Sequence, residues 1–384
     1  MKNTFGTAVS VTLFGESHGS EIGAVLDGLA PGLPVDEDFI RHQLSLRRPH
    51  GKISTARVEA DEFRIVSGVF EGHTTGTPLC IIIPNTNTRS GDYSKGLPRP
   101  GHADYTAECK YHGFQDYRGG GHFSGRLTAA LVAVGAIAIS ALRRNGIMIG
   151  THISSLAGVP DRPFEDIEAD LETLDDLLFP VLSTRAGEAM QAAIEQAAAE
   201  GDSVGGVLET AVTGLPAGVG EPWFDTVEGV LAHALFGIPA IKGVEFGDGF
   251  GFSELRGSEA NDPLRVVGGK VVTSTNRNGG INGGITNGMP LLFRCAVKPT
   301  PSIFRDQESV DLSTMKNDIL SLKGRHDPAI ITAHVSSLTA LPLSPSATFS
   351  PPASAPISRC KGTRFRGRGF GDAVLGTRFF VRPF

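Results

Sequence analysis

Leu127–Leu142 is the stretch that most constrains the fold: 16 residues without a charge, bracketed by Arg126 on one side and by Arg143 and Arg144 on the other. A helix of that length spans about 24 Å, short of the roughly 30 Å hydrocarbon thickness of a bilayer. It is rich in Ala and Gly and apolar all round, so it needs a core on every side. Ser124 can cap its start and Gly146 can close its end.

The rest of the pattern supplies that core. Thr7–Leu13, Ile22–Leu29, Arg57–Val69, Leu79–Pro84, Val204–Val212 and Leu291–Val297 read as strands. Asp36 caps a helix that Pro49 ends at Arg47 or Arg48, and Asp166–Leu178, Thr184–Glu200 and Pro222–Phe236 read as helices. Two pairs of segments resemble each other in the same order. VLDGLAPGLPVDEDFI (25–40) is similar to LETAVTGLPAGVGEPWFDTVE (208–228), and TTGTPLCIII (74–83) to TNGMPLLFRCA (286–296). A duplicated unit of this kind predicts two similar sheets related by a pseudo-twofold axis. Residues 331–384, by contrast, show no helical or strand period, are rich in Pro, Ser, Arg and Phe, and read as disordered or loosely packed.

The chain's net charge of −6 is uneven: residues 331–384 carry seven Lys/Arg against Asp372 alone, so the body is the more acidic part. An acidic body argues against nucleic-acid binding and makes its basic clusters informative. The Arg/Gly stretch 364–370 is the one feature that favours RNA. Cys80, Cys109, Cys295 and Cys360 are scattered without a CxxC pair, which argues against a zinc site or disulfide framework and fits a reducing compartment. The N-terminal stretch is no signal peptide, so a cytoplasmic, non-membrane protein is expected.

Five clusters carry chemistry. Gly15–Gly19 (GESHG) follows a strand and presents Ser17 and His18. Arg47-Arg48-Pro49-His50-Gly51-Lys52 gathers cations suited to phosphate or carboxylate. Residues 99–130 set Arg99, His102, Asp104, Arg118, His122 and Arg126 around Gly119–Gly121, a turn that can bring backbone N–H groups and a helix start to an anion. Residues 276–288 (NRNGGINGGITNG) lead to Lys298-Pro299-Thr300-Pro301-Ser302. Gly324–Pro328 holds Arg325, His326 and Asp327, which can clamp an anion and relay a proton. Each is also compatible with an ordinary polar turn. The chain lacks a P-loop ending, a dinucleotide fingerprint and a His-Glu-x-x-His pattern, which argues against ATP hydrolysis, dehydrogenase chemistry and a metal site.

Taken together the clusters resemble the chorismate synthase family. The resemblance rests on FGESHG (14–19), SGVFEGHTTGTPL (67–79), RPGHADYT (99–106), DYRGGG (116–121), GDSVGG (201–206), HALFGIPAIKGVEFGDGF (233–250), GGINGGITNG (279–288), KPT (298–300) and GRHDP (324–328), in order across residues 5–328. It implies an α+β fold, a β-α-β sandwich with helices between two sheets, assembled as a homotetramer. It implies a carbon–oxygen lyase that converts 5-enolpyruvylshikimate 3-phosphate to chorismate and phosphate. The reaction is a 1,4-anti elimination needing reduced FMN without net redox change. Carried over residue by residue, His18 protonates the leaving phosphate, His102 protonates the reduced flavin, and Ser17 with Asp327 forms a relay. Arg47, Arg48, Lys52, Arg99 and Arg126 bind substrate anions or NADP. His122, Phe123, Ser124, Pro239, Ala240, Gly283, Lys298, Pro299, Thr300, Pro301, Ser302 and Arg325 contact the flavin.

Three departures stand out. Relatives carry Arg at the position of His122, which weakens a fixed phosphate clamp but leaves a donor. Pro301 replaces a serine. After RHDP the Arg-Ala-Val-Pro stretch and apolar helix of relatives are not legible, so residues 331–384 read as a divergent or frameshifted tail on a catalytic domain of residues 1–330. The alternative function is therefore the same fold with impaired activity. No flavin-reductase insertion is evident, so a separate reductase is the expected source of reduced flavin, with NADPH as the indirect reductant.

Overall fold

The structure, a computed structural model, describes residues 3–49, 51–54, 59–88, 91, 93, 95–322 and 326–340. Its helices are α1 (Glu37–Arg47), α2 (Asp104–Tyr111), α3 (Thr128–Arg143), α4 (Ile167–Leu174), α5 (Thr184–Ala199), α6 (Val227–Leu235), α7 (Gly257–Ala260) and α8 (Ile331–Ala340). Asp36 Oδ1 accepts from Phe39 N at 2.9 Å at the start of α1, as its position before the apolar period predicts.

Two antiparallel five-stranded sheets form the outer layers. The first orders its strands Thr4–Gly6, Ser10–Gly15, Glu21–Asp27, Leu79–Pro84, Arg64–Ser67. The second orders Ile241–Phe246, Leu291–Val297, Gly206–Thr213, Met148–Leu156, Val159–Pro160. In each sheet the strand before the Pro/Gly turn pairs antiparallel with the strand of the second similar segment, Leu26 opposite Leu79 and Val212 opposite Leu291. The neighbours match as well. Ser10–Gly15 and Met148–Leu156 flank one side, and Arg64–Ser67 and Ile241–Phe246 flank the other. Each half thus runs strand, strand, helix, strand, strand, helix, with α1 matching α6 and α3 matching α8. The segmental similarity is a structural repeat.

The helices fill the space between the sheets. Twelve of the 16 residues of α3 are buried. Ala130, Val134 and Ile137 join the core of the first sheet, while Leu131 and Leu142 join that of the second. The 19 residues Gly125–Arg143 are apolar and long enough to cross a membrane by composition, but 78% of their best window is buried in the fold. The apolar-all-round reading of this segment was therefore a statement about a core with two sides. A Cβ on Gly135 would lie 2.4 Å from Ala340 Cβ, so the glycine is what lets α8 cross α3 closely.

That crossing corrects one expectation. Residues 331–340, expected to begin a patternless tail, form α8, with Ile331 and Leu338 buried in the second core. Ser, Thr and His on the helix masked its apolar face. Residues 341–384, including the Arg/Gly stretch and Cys360, lie outside the described residues.

Candidate functional site

A cavity of about 860 Å³ opens between the two halves of the repeat. That is at the upper end of the range for small-molecule sites, with room for more than one ligand. The first half brings in the end of α1, the loop 99–106, and the turns that precede α3. The second half brings in Phe236–Lys242 after α6, Lys298–Ser302, and the entry to α8.

Gly119, Gly120 and Gly121 all have positive φ (61°, 85° and 53°). A Cβ on Gly119 would fall 2.5 Å from the His18 ring, and one on Gly120 3.0 Å from the His102 ring. The backbone of the triple glycine passes against two imidazoles, where no side chain fits. Ser17 N donates to Gly121 O at 3.0 Å, tying the GESHG loop to this turn. Ser17 is fully buried and its Oγ has no hydrogen-bond partner. His18 stacks edge-on against Tyr93, a wall residue, with centroids 5.3 Å apart.

His102 is oriented from below. Its Nδ1 lies 2.6 Å from Asp104 Oδ1, which leaves Nε2 beside Gly120. Burial pushes the His102 imidazole down, and Arg99 adds to this, against the pull of Asp104. At neutral pH the ring is therefore neutral, with its proton on the Asp104 side and an acceptor at Nε2. Burial works against the Asp104 carboxylate too, but Arg99 and His102 outweigh it and hold the carboxyl well below the usual range. Arg99 grips Asp104 through Nε (2.7 Å) and Nη2 (2.8 Å) and reaches Ser302 Oγ through Nη1 at 3.2 Å. Expected as an anion ligand, Arg99 lines the cavity and spends three of its N–H donors on Asp104 and Ser302.

Arg47, Arg48 and Arg126 converge on Asp61, whose side chain is 1% exposed. Arg126 Nη1 hydrogen-bonds Asp61 Oδ1, while Nε donates to Asn85 Oδ1 at 2.9 Å and Nη2 to Pro84 O at 3.2 Å. Arg47 donates to Thr128 Oγ1 at 3.0 Å and Gly125 O at 2.7 Å. Pairing a buried carboxylate with several guanidiniums offsets its desolvation.

The opposite wall is less polar. Phe236, Ile238, Pro239, Ala240 and Ile330 line it, with Lys298 as a cation beside them. Ala240 sits in the left-handed region (φ 69°), and its carbonyl accepts from Lys298 N at 3.0 Å. Lys298 Nζ donates to Gly101 O; burial and nearby Lys242 push its ammonium down. Thr300 Oγ1 is buried without a hydrogen-bond partner.

The cavity collects Arg47, Arg48, Arg99, His102, His122, Phe123, Ser124, Arg126, Pro239, Ala240, Lys298, Thr300, Pro301, Ser302 and Asp327 from widely separated segments. Ser17 and His18 lie against its Gly119 wall. Pro299 packs toward Gly205 rather than lining the cavity, and Gly283 turns a hairpin with nothing within 4 Å of where its Cβ would be. Arg325 and the side chain of Lys52 lie outside the described residues. His122 lines the cavity, and its Nδ1 lies 2.8 Å from Gly15 O, a pure acceptor, so that nitrogen donates to the backbone. Sequence reading missed Asp61, Tyr93 and the buried His334, each a lone residue outside a glycine-rich motif.

The chorismate synthase family model matches residues 9–342. A chorismate synthase of Aeropyrum pernix is 46% identical over 332 residues, covering 86% of this chain and 87% of its own. One of Pyrococcus abyssi is 47% identical over 332 residues, covering 85% and 91%. One of Dehalococcoides mccartyi is 46% identical over 346 residues, covering 89% and 94%. A crystal structure of chorismate synthase superimposes with a TM-score of 0.69 at 28% identity, covering 88% of this chain and 90% of that one.

Proposed function

The chain belongs to the chorismate synthase family of the shikimate pathway, and from that premise we propose how its cavity works. Its substrate is 5-enolpyruvylshikimate 3-phosphate, its reaction a 1,4-anti elimination of phosphate, and its cofactor reduced FMN. The observation that carries this reading is one cavity with an arginine cluster on one side and an apolar wall with a lysine on the other. A phosphate and two carboxylates suit the first, and a flat ring bearing a phosphate suits the second.

The residues fit a flavin. Thr300 Oγ1 and Ser17 Oγ are buried hydroxyls awaiting a partner, Lys298 supplies a cation, and Phe236, Ile238, Pro239 and Ala240 form an apolar face. When bound, reduced flavin supplies electron density to the substrate as phosphate leaves. Arg47, Arg48 and Arg126 bind the substrate's anionic groups. His18, steadied by Tyr93 and the glycine turn, delivers a proton to the departing phosphate. His102 would hold a proton at Nε2 for a bound flavin, with Asp104, against Nδ1, balancing the imidazolium. Ser17 and Asp327 act as a relay, and Phe123, Ser124, Pro301 and Ser302 complete the walls. Reduction by a separate NADPH-dependent reductase, a homotetramer and a cytoplasmic setting complete this reading.

The test is anaerobic phosphate release from 5-enolpyruvylshikimate 3-phosphate with dithionite-reduced FMN. We expect turnover by the wild type and a drop of about 10²–10⁴-fold in His102→Ala. Equal rates in both proteins would remove His102 from the chemistry.

A further inference from the structure

Asp61 places a negative charge in the middle of the site that has to receive a highly anionic substrate. Three guanidiniums surround it: Arg126 Nη1 is hydrogen-bonded to Oδ1, and Arg47 Nη1 and Arg48 Nε stand 3.8 Å and 3.9 Å from Oδ2. The pairing is incomplete. Asp61 Oδ2 and Arg48 Nε are both buried, and neither makes a hydrogen bond. A buried charged atom left at that separation is poorly compensated.

The arginines do not depend on Asp61 for their positions. Arg126 is held by Asn85 and Pro84, and Arg47 by Thr128 and Gly125. Asp61 does depend on them. Two residues earlier, Glu59 is pinned by Thr86, which donates to Oε2 from N at 3.1 Å and from Oγ1 at 2.8 Å. Asp61 itself has a left-handed backbone (φ 51°), a conformation Asp tolerates better than most residues. Its segment is therefore anchored at Glu59, while its carboxylate stays in the cluster by charge.

We propose that Asp61 is the resident counter-anion of the substrate arginines: it neutralises Arg47, Arg48 and Arg126 when no ligand anion is bound, and yields them to a phosphate or carboxylate of the substrate. Resting on the assignment of these arginines to the substrate, this makes Asp61 a residue that sets affinity. It disfavours weak single anions and admits a ligand whose several anionic groups together outcompete one carboxylate. Binding then exchanges one anion for another at Arg126, and the net charge of the cluster need not become strongly positive at any stage.

The experiment titrates wild type, Asp61→Asn and Arg126→Gln with inorganic phosphate and with 5-enolpyruvylshikimate 3-phosphate by calorimetry. Asparagine keeps the acceptor facing Arg126 and tolerates the same backbone. We expect Asp61→Asn to bind phosphate about tenfold more tightly than wild type and to lose much of the preference for the full substrate. Unchanged or weaker phosphate binding by Asp61→Asn, with Arg126→Gln weakened, would overturn the counter-anion role alone. Undiminished binding by Arg126→Gln would instead overturn the arginine assignment. Should Asp61→Asn fail to fold, a crystal structure of the wild type with bound substrate decides. A substrate oxygen in place of Asp61 on Arg126 supports the proposal, and an intact Asp61–Arg126 hydrogen bond sinks it.

Discussion

The two halves of the repeat share one topology and divide the site's chemistry between them. In the first half α1 ends in Arg47 and Arg48, and α3 is entered through Arg126. At the matching places in the second half α6 runs into Phe236 and Ile238, and α8 is entered through Ile330. Equivalent backbone positions thus carry guanidiniums on one side of the cavity and hydrocarbon on the other. A duplicated scaffold aims both sets of helix ends at one cavity, and side-chain identity alone decides which end is cationic and which is apolar.

The largest expected effect tests the charged half. Arg126→Met should weaken substrate binding at least about 100-fold. It should also lower unfolding free energy by about 3 kcal/mol, because Asp61 keeps only its two longer ion pairs. Calorimetric titration and denaturant unfolding read the two effects separately. Unchanged binding would mean that the halves do not divide the work as described.

The second test concerns the half whose closing helix carries a misfit. His334 is fully buried on α8, and burial, with Arg47 nearby, outweighs the pull of the Pro239 backbone and pushes its imidazole down to about 3. The unfolded chain takes up this proton below about pH 6.5 and the folded chain does not, so stability falls as pH drops through the window from 6.5 toward 3. Between pH 7 and pH 5 this group should remove about 2 kcal/mol from the wild type. His334→Leu should lack that slope in denaturant midpoints measured at the two pH values. His102, depressed in the same direction, titrates alike in both proteins and cancels.

The smallest effect sharpens the boundary of the site. Gly283 turns a hairpin at φ 62° with open space around it. Gly283→Ala should cost about 1 kcal/mol for the left-handed backbone and leave FMN affinity, followed by flavin fluorescence, unchanged. A loss of affinity would bring this turn into the flavin site after all.

Much of this was readable in the chain. The charge-free run demanded a two-sided core, and the paired segments marked the strands that sit side by side in each sheet. The same repeat also called for a helix after Leu291–Val297, as α3 follows Leu79–Pro84. That argument locates α8 where its Ser- and Thr-rich surface defeats a periodicity reading. Met148–Leu156 was missed because most of it is buried, leaving no alternation to detect. Ile241–Phe246 was hidden inside a segment quoted for its motif. Asp61 left no trace, since its role comes from a left-handed backbone and from three arginines distant in sequence. Local spacing revealed candidate polar residues, but not that Arg99 would turn Nε and Nη2 to Asp104 or that His122 Nδ1 would sit against Gly15 O.

The two imidazoles lean on adjacent residues of one turn, His18 on Gly119 and His102 on Gly120. They are therefore mechanically ganged. A shift of that single stretch of backbone displaces both rings together, so neither can be repositioned without carrying its twin along.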